Sequence, residues 1–292
     1  MKANTASRTA QYMALFRALE TKRPPATRLF NDPYAIHFLG KGFRRITKLA
    51  NLSPVYRMAS AIIQHRIPGA FASGVARTKY IDELLYRTVR SGAKQVIILG
   101  AGFDTRALRL DFLKNIPVIE IDHPDTATIK MGTIRKVLNG LPPNVRYLQI
   151  DFNRQSLAAL LDAERIDFTL PTTILWEGVT NYLSAEAMDN SFALLGRFAK
   201  NSAVIFTYVH KEVLANPSAF YGAKKLLDDL DEIEERWTFG FYPHELPAYL
   251  QRYGFRLEED TGAADYRRQY LAGREYLFKG YEFYRVALAK KA

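Results

Sequence analysis

The chain has 292 residues, carries a formal net charge of +11 and contains no cysteine. Its composition, 48% hydrophobic and 24% charged, is that of a globular protein and excludes extensive disorder. The lack of cysteine excludes disulfides, thiolate metal sites and cysteine nucleophiles, and it fits a reducing cytoplasm. No apolar stretch approaches the ~20 residues of a membrane-spanning helix, so we expect a soluble cytoplasmic protein without a membrane partner.

The basic excess raises the question of nucleic-acid binding, because Lys and Arg bind phosphates. The basic residues are scattered, and the densest groups are short pairs such as 44–45, 267–268 and 290–291. A nucleic-acid site requires a clustered patch, so we expect no nucleic-acid partner. Electrostatic steering of an anionic small molecule explains the charge equally well.

The first 90 residues show helical periodicity and no strand alternation. The segments 54–66 and 76–90 indicate amphipathic helices, separated by Pro and Gly. No flexible linker follows them. We therefore predict that residues 1–90 form a helical cap that is integrated with a core domain of residues 91–292.

From about residue 94 onward, short β-branched runs alternate with helical or turn segments. The five runs are 95–99, 117–121, 145–150, 172–176 and 203–208. This alternation predicts βαβ units and a parallel sheet. Two later runs, 254–257 and 281–289, predict a closing hairpin that brings an antiparallel strand into the sheet, and an acidic helix is expected at 228–235.

A Gly-X-Gly turn follows the first strand run, at Gly100 and Gly102. Glycines allow a tight turn and the close approach of a ligand to the backbone, and Asp104 or Thr105 can cap the helix that follows. Dinucleotide-binding turns carry a third glycine where this chain has Thr105. The turn therefore disfavours NAD, although a Gly-X-Gly pair alone is also compatible with an ordinary strand-to-helix turn.

Acidic residues end the next two strand runs. Asp122 follows the glycines by about 20 residues, the spacing at which an acid accepts the hydroxyls of a ribose, and Glu120 on the same face would support it. Asp151 could accept from the amino group of adenine while the backbone N–H of Phe152 donates to a ring nitrogen. The alternative for Asp151 is a helix cap before residue 156.

The fourth strand run leads into Glu177 and Gly178. A buried carboxylate at this position needs a partner, because burial of an unpaired charge is costly. The ammonium or sulfonium group of a cationic cofactor would suit it.

Together these stretches resemble the leucine carboxyl methyltransferase family, in its bacterial branch that includes polyketide methyltransferases. The resemblance is carried by the stretches 31–35, 76–82, 99–106, 118–124, 151–152, 176–183 and 238–241. It implies a class I methyltransferase fold of the α/β type, with a seven-stranded, mostly parallel sheet, one antiparallel strand and an N-terminal helical cap.

The resemblance also implies S-adenosyl-L-methionine as the cofactor and a set of residues that bind it. Arg77 would bind the methionine carboxylate, and Glu177 would lie near the same end of the cofactor. The remaining contacts would come from the glycine turn at Gly100 and Gly102, from Asp122 at the ribose, and from Asp151 and Phe152 at the adenine. The family often has Leu where this chain has Phe152, a change of little consequence for a backbone contact.

The expected activity is O-methyl transfer to a carboxylate, either of a small polyketide-type acid or of a peptide C-terminus. A carboxylate is already ionised at neutral pH and needs no strong base. A phenol would need one, and His123, Glu177 and His210 are the nearest candidates, so no catalytic residue is assigned. We expect no bound metal. The alternatives are a noncatalytic cofactor-binding scaffold and an NAD-dependent oxidoreductase; the acceptor and the oligomeric state stay open.

Overall fold

The computed structural model describes residues 8–151, 154–233, 235–272 and 280–292. Seven strands form its central sheet: β1 Gln95–Leu99, β2 Val118–Asp122, β3 Val145–Gln149, β4 Thr172–Trp176, β5 Ala203–Val209, β6 Phe255–Gly262 and β7 Tyr284–Lys291. Their order is β3-β2-β1-β4-β5-β7-β6, and only β7 runs antiparallel to its neighbours. The predicted seven-stranded, mostly parallel sheet with one antiparallel strand is confirmed.

Helices precede the sheet and connect its strands. They are α1 Arg8–Thr21, α2 Lys41–Leu49, α3 Ser53–Arg66, α4 Ala70–Arg90, α5 Arg106–Arg109, α6 Pro124–Leu138, α7 Leu157–Ala163, α8 Ala185–Leu195, α9 Glu212–Ala215, α10 Ala223–Glu232, α11 Leu246–Gln251 and α12 Ala263–Leu271. Among the described residues, no helix combines the length and hydropathy of a membrane span.

Side-chain alternation divides the core between the two faces of the sheet. Every residue of β1, β4 and β5 is buried, as expected for central strands covered on both sides. On one face, Ile98 shares a hydrophobic cluster with Phe16 of α1 and Phe71 of α4. On the other face, Ile97 clusters with Phe192 of α8. Helices α1 and α4 thus pack on one face of the sheet, together with residues of α6 and α12 such as Ile134 and Tyr266.

The end of the chain differs in detail from the predicted hairpin. β6 and β7 pair antiparallel, but α12 lies between them, so the connection is not a tight turn. β6 also extends to Gly262, five residues beyond the predicted run. Its middle is acidic: Glu258 is exposed, and Glu259 and Asp260 are half-buried. Such residues do not produce the apolar signal of a buried strand.

The parallel strands β1 to β5 all end at the same edge of the sheet. The strand order reverses between β1 and β4, and ligands of open α/β sheets bind at the carboxyl ends of strands beside such a reversal. The glycine turn after β1, Asp122 at the end of β2 and Glu177 after β4 all lie along this edge.

Candidate functional site

The glycine turn lies directly against the chain that leaves β4. Gly100 has a φ of +64° and Gly102 a φ of +47°, in the left-handed region that favours glycine. A Cβ atom on Gly100 would overlap Cγ2 of Val179, two residues after Glu177. A Cβ on Gly102 would meet its nearest neighbour, Ala10, at an ordinary 3.5 Å. Gly100 is therefore required both by its backbone conformation and by this close approach.

Asp122 connects the end of β2 to the glycine turn. Its Oδ2 accepts a hydrogen bond from the backbone N–H of Gly102, and its Oδ1 accepts one from the N–H of His123 at 2.6 Å. Burial raises the pKa of Asp122, and these two hydrogen bonds oppose that rise. Because a carboxylate can accept about four hydrogen bonds, Asp122 retains acceptor sites for a ligand.

Glu120 forms an ion pair inside the domain. Its Oε2 lies 2.6 Å from Nζ of Lys130 on α6, and both side chains are almost wholly buried. Burial raises the pKa of Glu120 to about 7, and the nearby carboxylates Asp104 and Asp122 add to the rise while Lys130 opposes it. The support of Asp122 by Glu120 stays a prediction, since the partner of Glu120 in the structure is Lys130.

The raised pKa of Glu120 gives a prediction for stability against pH. A carboxyl whose pKa is higher in the folded than in the unfolded state stabilises the fold below the unfolded pKa, and that contribution is lost as the pH rises through the folded pKa. Between about pH 4.5 and about pH 7, wild type should lose stability relative to Glu120→Gln, by on the order of 2 kcal/mol. Urea unfolding of both proteins across this range measures the effect. For the exposed control Glu186→Gln, the difference in unfolding free energy from wild type should not change with pH. If the difference for Glu120→Gln is also independent of pH, the prediction is wrong.

Glu177 is held between two arginines. Its Oε1 accepts from Nε of Arg77 at 2.8 Å, and its Oε2 accepts from Nη1 of Arg106 at 2.9 Å. Burial alone would raise the pKa of Glu177, but Arg106 and Arg77 hold it below its usual value. The partners of this buried carboxylate are therefore guanidinium groups of the chain, whereas the sequence suggested a cofactor cation.

Arg77 is buried, and its partner lies outside its own helix. An ion pair with Asp82 or Glu83 of α4 would have been the alternative to cofactor binding. The structure pairs Arg77 with Glu177 instead, 100 residues away, and stacks its guanidinium 4.5 Å from the ring centre of Tyr284. Nη2 also contacts Sδ of Met13 at 3.3 Å. Arg77 is thus a buried residue of the site.

Further charges extend this pair into a buried network. Arg106 also donates to Asp82, at 2.8 Å, and to Asp104. Arg109 binds the same Asp82 through two hydrogen bonds of 2.7 and 2.8 Å. The network consists of four arginines and four carboxylates: Arg17, Arg77, Arg106, Arg109, Asp32, Asp82, Asp104 and Glu177. Its formal charge is zero, and it joins the cap helices α1 and α4 to the glycine turn and the end of β4.

Asp151 does not cap the helix that follows it. Ser156 performs that task, because its Oγ accepts from the N–H of Ala159. The helix-cap alternative is therefore wrong. Asp151 lies close to Asp122, because the residue before it, Ile150, donates its N–H to the carbonyl of Asp122 at 2.9 Å. Phe152 lies outside the described residues.

The two histidines considered as bases both accept hydrogen bonds from helix termini. Nδ1 of His123 accepts from the N–H of Asp125 at the start of α6. Nδ1 of His210 accepts from the N–H of Glu212 at the start of α9. Burial lowers the pKa of His210, and the charge of Arg285 lowers it further.

An aromatic cluster borders the Arg77 side of the site. Tyr284 packs against Trp237, and Phe283 packs against both Trp237 and Tyr281. Within the described ranges, the hydroxyl of Tyr281 and Oδ1 of Asn181 have no hydrogen-bond partner, and both side chains are buried. The aromatic rings give the Arg77 side of the site a largely apolar border.

The sequence matches one family and several methyltransferases. The model of the family described as leucine carboxyl methyltransferase matches residues 10–196. A relative from Mycobacterium sp. (strain JLS), provisionally named as an S-adenosyl-L-methionine-dependent methyltransferase, is 28% identical over 280 residues, or 90% of this chain and 88% of the relative. A similarly named relative from Streptomyces coelicolor is 33% identical over 195 residues, which cover 67% of this chain and 65% of the relative.

Solved structures show the same fold. A provisionally named methyltransferase from Thermobifida fusca YX superimposes with a TM-score of 0.61 at 17% identity, over 100% of this chain and 97% of that one. A DUF574 family protein from Streptomyces avermitilis gives a TM-score of 0.58 at 13% identity, over 94% of this chain and 100% of that one. The fold is that of the class I methyltransferases.

The chain belongs to the leucine carboxyl methyltransferase family. It is a methyltransferase that depends on S-adenosyl-L-methionine, as the sequence predicted.

Proposed function

We propose that this enzyme methylates a carboxylate oxygen of a small, largely apolar acid or of a peptide C-terminus. The proposal rests on one observation: each residue considered as a base already has a hydrogen-bond or ion-pair partner within the chain. His123 and His210 accept hydrogen bonds from helix termini, and Glu177 is held ionised between two arginines. An acceptor that is already ionised at neutral pH needs no base. Membership of a carboxyl methyltransferase family supports the same choice.

The residues at the sheet edge fit the cofactor by the chemistry of their free groups. In the proposed arrangement, the hydroxyls of the ribose donate to the remaining acceptor sites of Asp122. The cofactor passes close to the main chain at Gly102. There is space beside this residue, since a Cβ atom on it would lie 3.5 Å from its nearest neighbour, Ala10. Asp151 and Phe152 bind the adenine, Arg77 binds the methionine carboxylate, and Glu177 with Gly100 shapes that end of the site.

The enzyme's residues chiefly position the reactants. When bound, the cofactor supplies an electrophilic methyl group on its sulfonium. The chain aligns an acceptor oxygen with that group and excludes water, and alignment of this kind can supply several kcal/mol of the barrier. The aromatic rings beside Arg77, from Tyr284 to Trp237 and Phe283, would pack against the apolar body of the acceptor.

The proposal is tested with methyl-labelled S-adenosyl-L-methionine. Purified enzyme is incubated with panels of apolar carboxylic acids, peptides with a free C-terminus and phenols, with a chelator present in parallel samples. We expect label in base-labile methyl esters of one of the acid classes, with and without chelator. Transfer to phenols alone, or cofactor binding without turnover on any acceptor, would contradict carboxyl methylation.

The cofactor contacts yield a prediction about Asp122. Asp122→Ala removes a charge-assisted hydrogen bond to the ribose and should weaken S-adenosyl-L-methionine binding by about 10- to 150-fold. Glu120→Ala, which disrupts only the ion pair with Lys130, should weaken binding less. Isothermal titration calorimetry measures both. If Glu120→Ala abolishes binding while Asp122→Ala leaves it intact, Asp122 is not the ribose ligand.

A further inference from the structure

The outer face of the cap carries apolar side chains that lie in solvent. Six large apolar residues on or between α2 and α3 are between 41% and 60% exposed: Phe43, Ile46, Leu49, Leu52, Met58 and Ile62. Their spacing of three or four residues within each helix places them on shared faces. Single exposed apolar residues are ordinary, whereas a group on two neighbouring helices forms a patch. We name these six residues the cap patch.

Lys and Arg are the only fully charged residue types in the segment that carries the cap patch. Residues 41–66 contain six Lys or Arg residues and no Asp or Glu, so this short stretch supplies more than half of the net charge of +11. Arg44 donates to backbone carbonyls of residues 37 and 39. Within the described ranges no carboxylate lies at ion-pair distance from the other five, which are Lys41, Arg45, Lys48, Arg57 and Arg66. These positive charges are uncompensated.

The combination of apolar and basic groups selects one kind of partner. A second copy docked on the same patch would oppose two uncompensated positive surfaces. A nucleic acid would satisfy Lys and Arg but leave Phe43, Ile46 and Leu49 in water. A bilayer with anionic lipids satisfies both sets, because the apolar side chains enter the boundary of the acyl chains while Lys and Arg bind the headgroup phosphates.

We propose that α2 and the adjoining part of α3 dock the enzyme on the surface of an anionic lipid bilayer. α2 has the character of an interfacial helix: Phe43, Ile46 and Leu49 occupy one side, and Lys41, Arg45 and Lys48 occupy the other. This attachment lies in the plane of the surface and spans nothing. It departs from the expectation that the chain has no membrane partner, and it is independent of the acceptor proposed above.

The test is flotation of the full-length protein with vesicles. One set contains phosphatidylcholine alone, and the other contains phosphatidylcholine mixed with phosphatidylglycerol. We expect binding only to the mixed vesicles, and release at high salt because charges are then screened. The double variant Arg45→Glu, Lys48→Glu should lower partitioning by at least about 30-fold. Ile46→Ser with Leu49→Ser should lower it by about tenfold or more.

Helix α6 provides controls, because it exposes both kinds of residue outside residues 41–66. Arg135→Glu with Lys136→Glu, and Ile129→Ser, make the same kinds of change there and should bind like wild type. S-adenosyl-L-methionine binding by every variant confirms that it is folded.

Three results would overturn the proposal. The first is a failure of the wild type to float with the mixed vesicles at low salt. The second is an equal loss of flotation in the α2 and α6 variants, which would indicate attraction by net charge alone. The third is binding to a DNA duplex, or a dimer broken by the Ile46→Ser, Leu49→Ser change, in a protein that does not bind vesicles.

Discussion

Replacement of Arg106 by Met is expected to destabilise the folded protein by about 3–5 kcal/mol. Arg106 is 3% exposed and donates to Asp82, Asp104 and Glu177. Without it, three buried carboxylates lose a shared partner, and two of them retain one arginine each, Arg109 for Asp82 and Arg77 for Glu177. The cost arises from charges that stay buried after their partner is removed. Urea unfolding of the cofactor-free protein measures it.

A surface arginine serves as the control for this substitution. Arg146 pairs with Glu164 at 2.7 Å, but both side chains are well exposed. Arg146→Met should therefore cost under about 1 kcal/mol. If the Arg106 and Arg146 variants lose similar stability, the network contributes no more than a surface ion pair and its proposed importance is wrong.

The second large effect is expected at Arg77. In Arg77→Ala, S-adenosyl-L-methionine affinity should fall by at least about 30-fold, because the cofactor carboxylate would lose a buried charged partner. Arg77→Lys should give an intermediate loss, since Lys keeps the charge but lacks the planar fork of donors. Because Arg77 also holds Glu177, the alanine variant should lose stability without cofactor as well. A stability measurement alone therefore cannot distinguish cofactor binding from the ion pair with Glu177. The cofactor affinity, measured by calorimetry, distinguishes them.

The same helix provides a control for Arg77. Arg87 on α4 forms an exposed ion pair with Glu259, so Arg87→Ala should leave cofactor affinity unchanged. Unchanged affinity in both Arg77 variants would remove Arg77 from the cofactor site and leave it a structural partner of Glu177.

The parts of the fold that follow from local pattern were predicted from the sequence. β1 and β4 were placed to the residue, since fully buried parallel strands are continuous apolar runs bounded by turn residues. β6 was predicted too short because its acidic, half-exposed middle lacks that pattern. The glycine turn and Asp122 were recognisable because their spacing along the chain is fixed by one βαβ unit.

The buried network could not be predicted in the same way. Arg106 and Glu177 are 71 residues apart, and Arg77 and Glu177 are 100 apart. No local periodicity relates such positions. Arg106 comes close to Glu177 because β1 and β4 pair, and Arg77 does so because α4 packs against β4. A signal was nevertheless present: Asp82 and Arg106 are charged residues in segments otherwise suited to burial, and buried charges require partners.

The basic surface of the cap was missed for a different reason. The density of Lys and Arg around Arg44 and Arg45 is modest and does not by itself indicate a binding surface. What distinguishes residues 41–66 is the lack of any carboxylate to compensate them, together with apolar side chains that the fold leaves exposed. Exposure is a property of the tertiary structure, so the sequence alone shows the lack of carboxylates but not the exposed apolar side chains.

The buried network also restricts how reactants enter and leave. Asp82 of α4 is bound to Arg106 and Arg109, and Arg17 of α1 is bound to Asp32, so a hinged opening of these helices would expose several ion pairs at once. These ion pairs hold α1 and α4 to the segments on either side of the glycine turn in one hydrogen-bonded geometry. We therefore expect the cofactor and the acceptor to enter along a part of the rim that these arginines do not join.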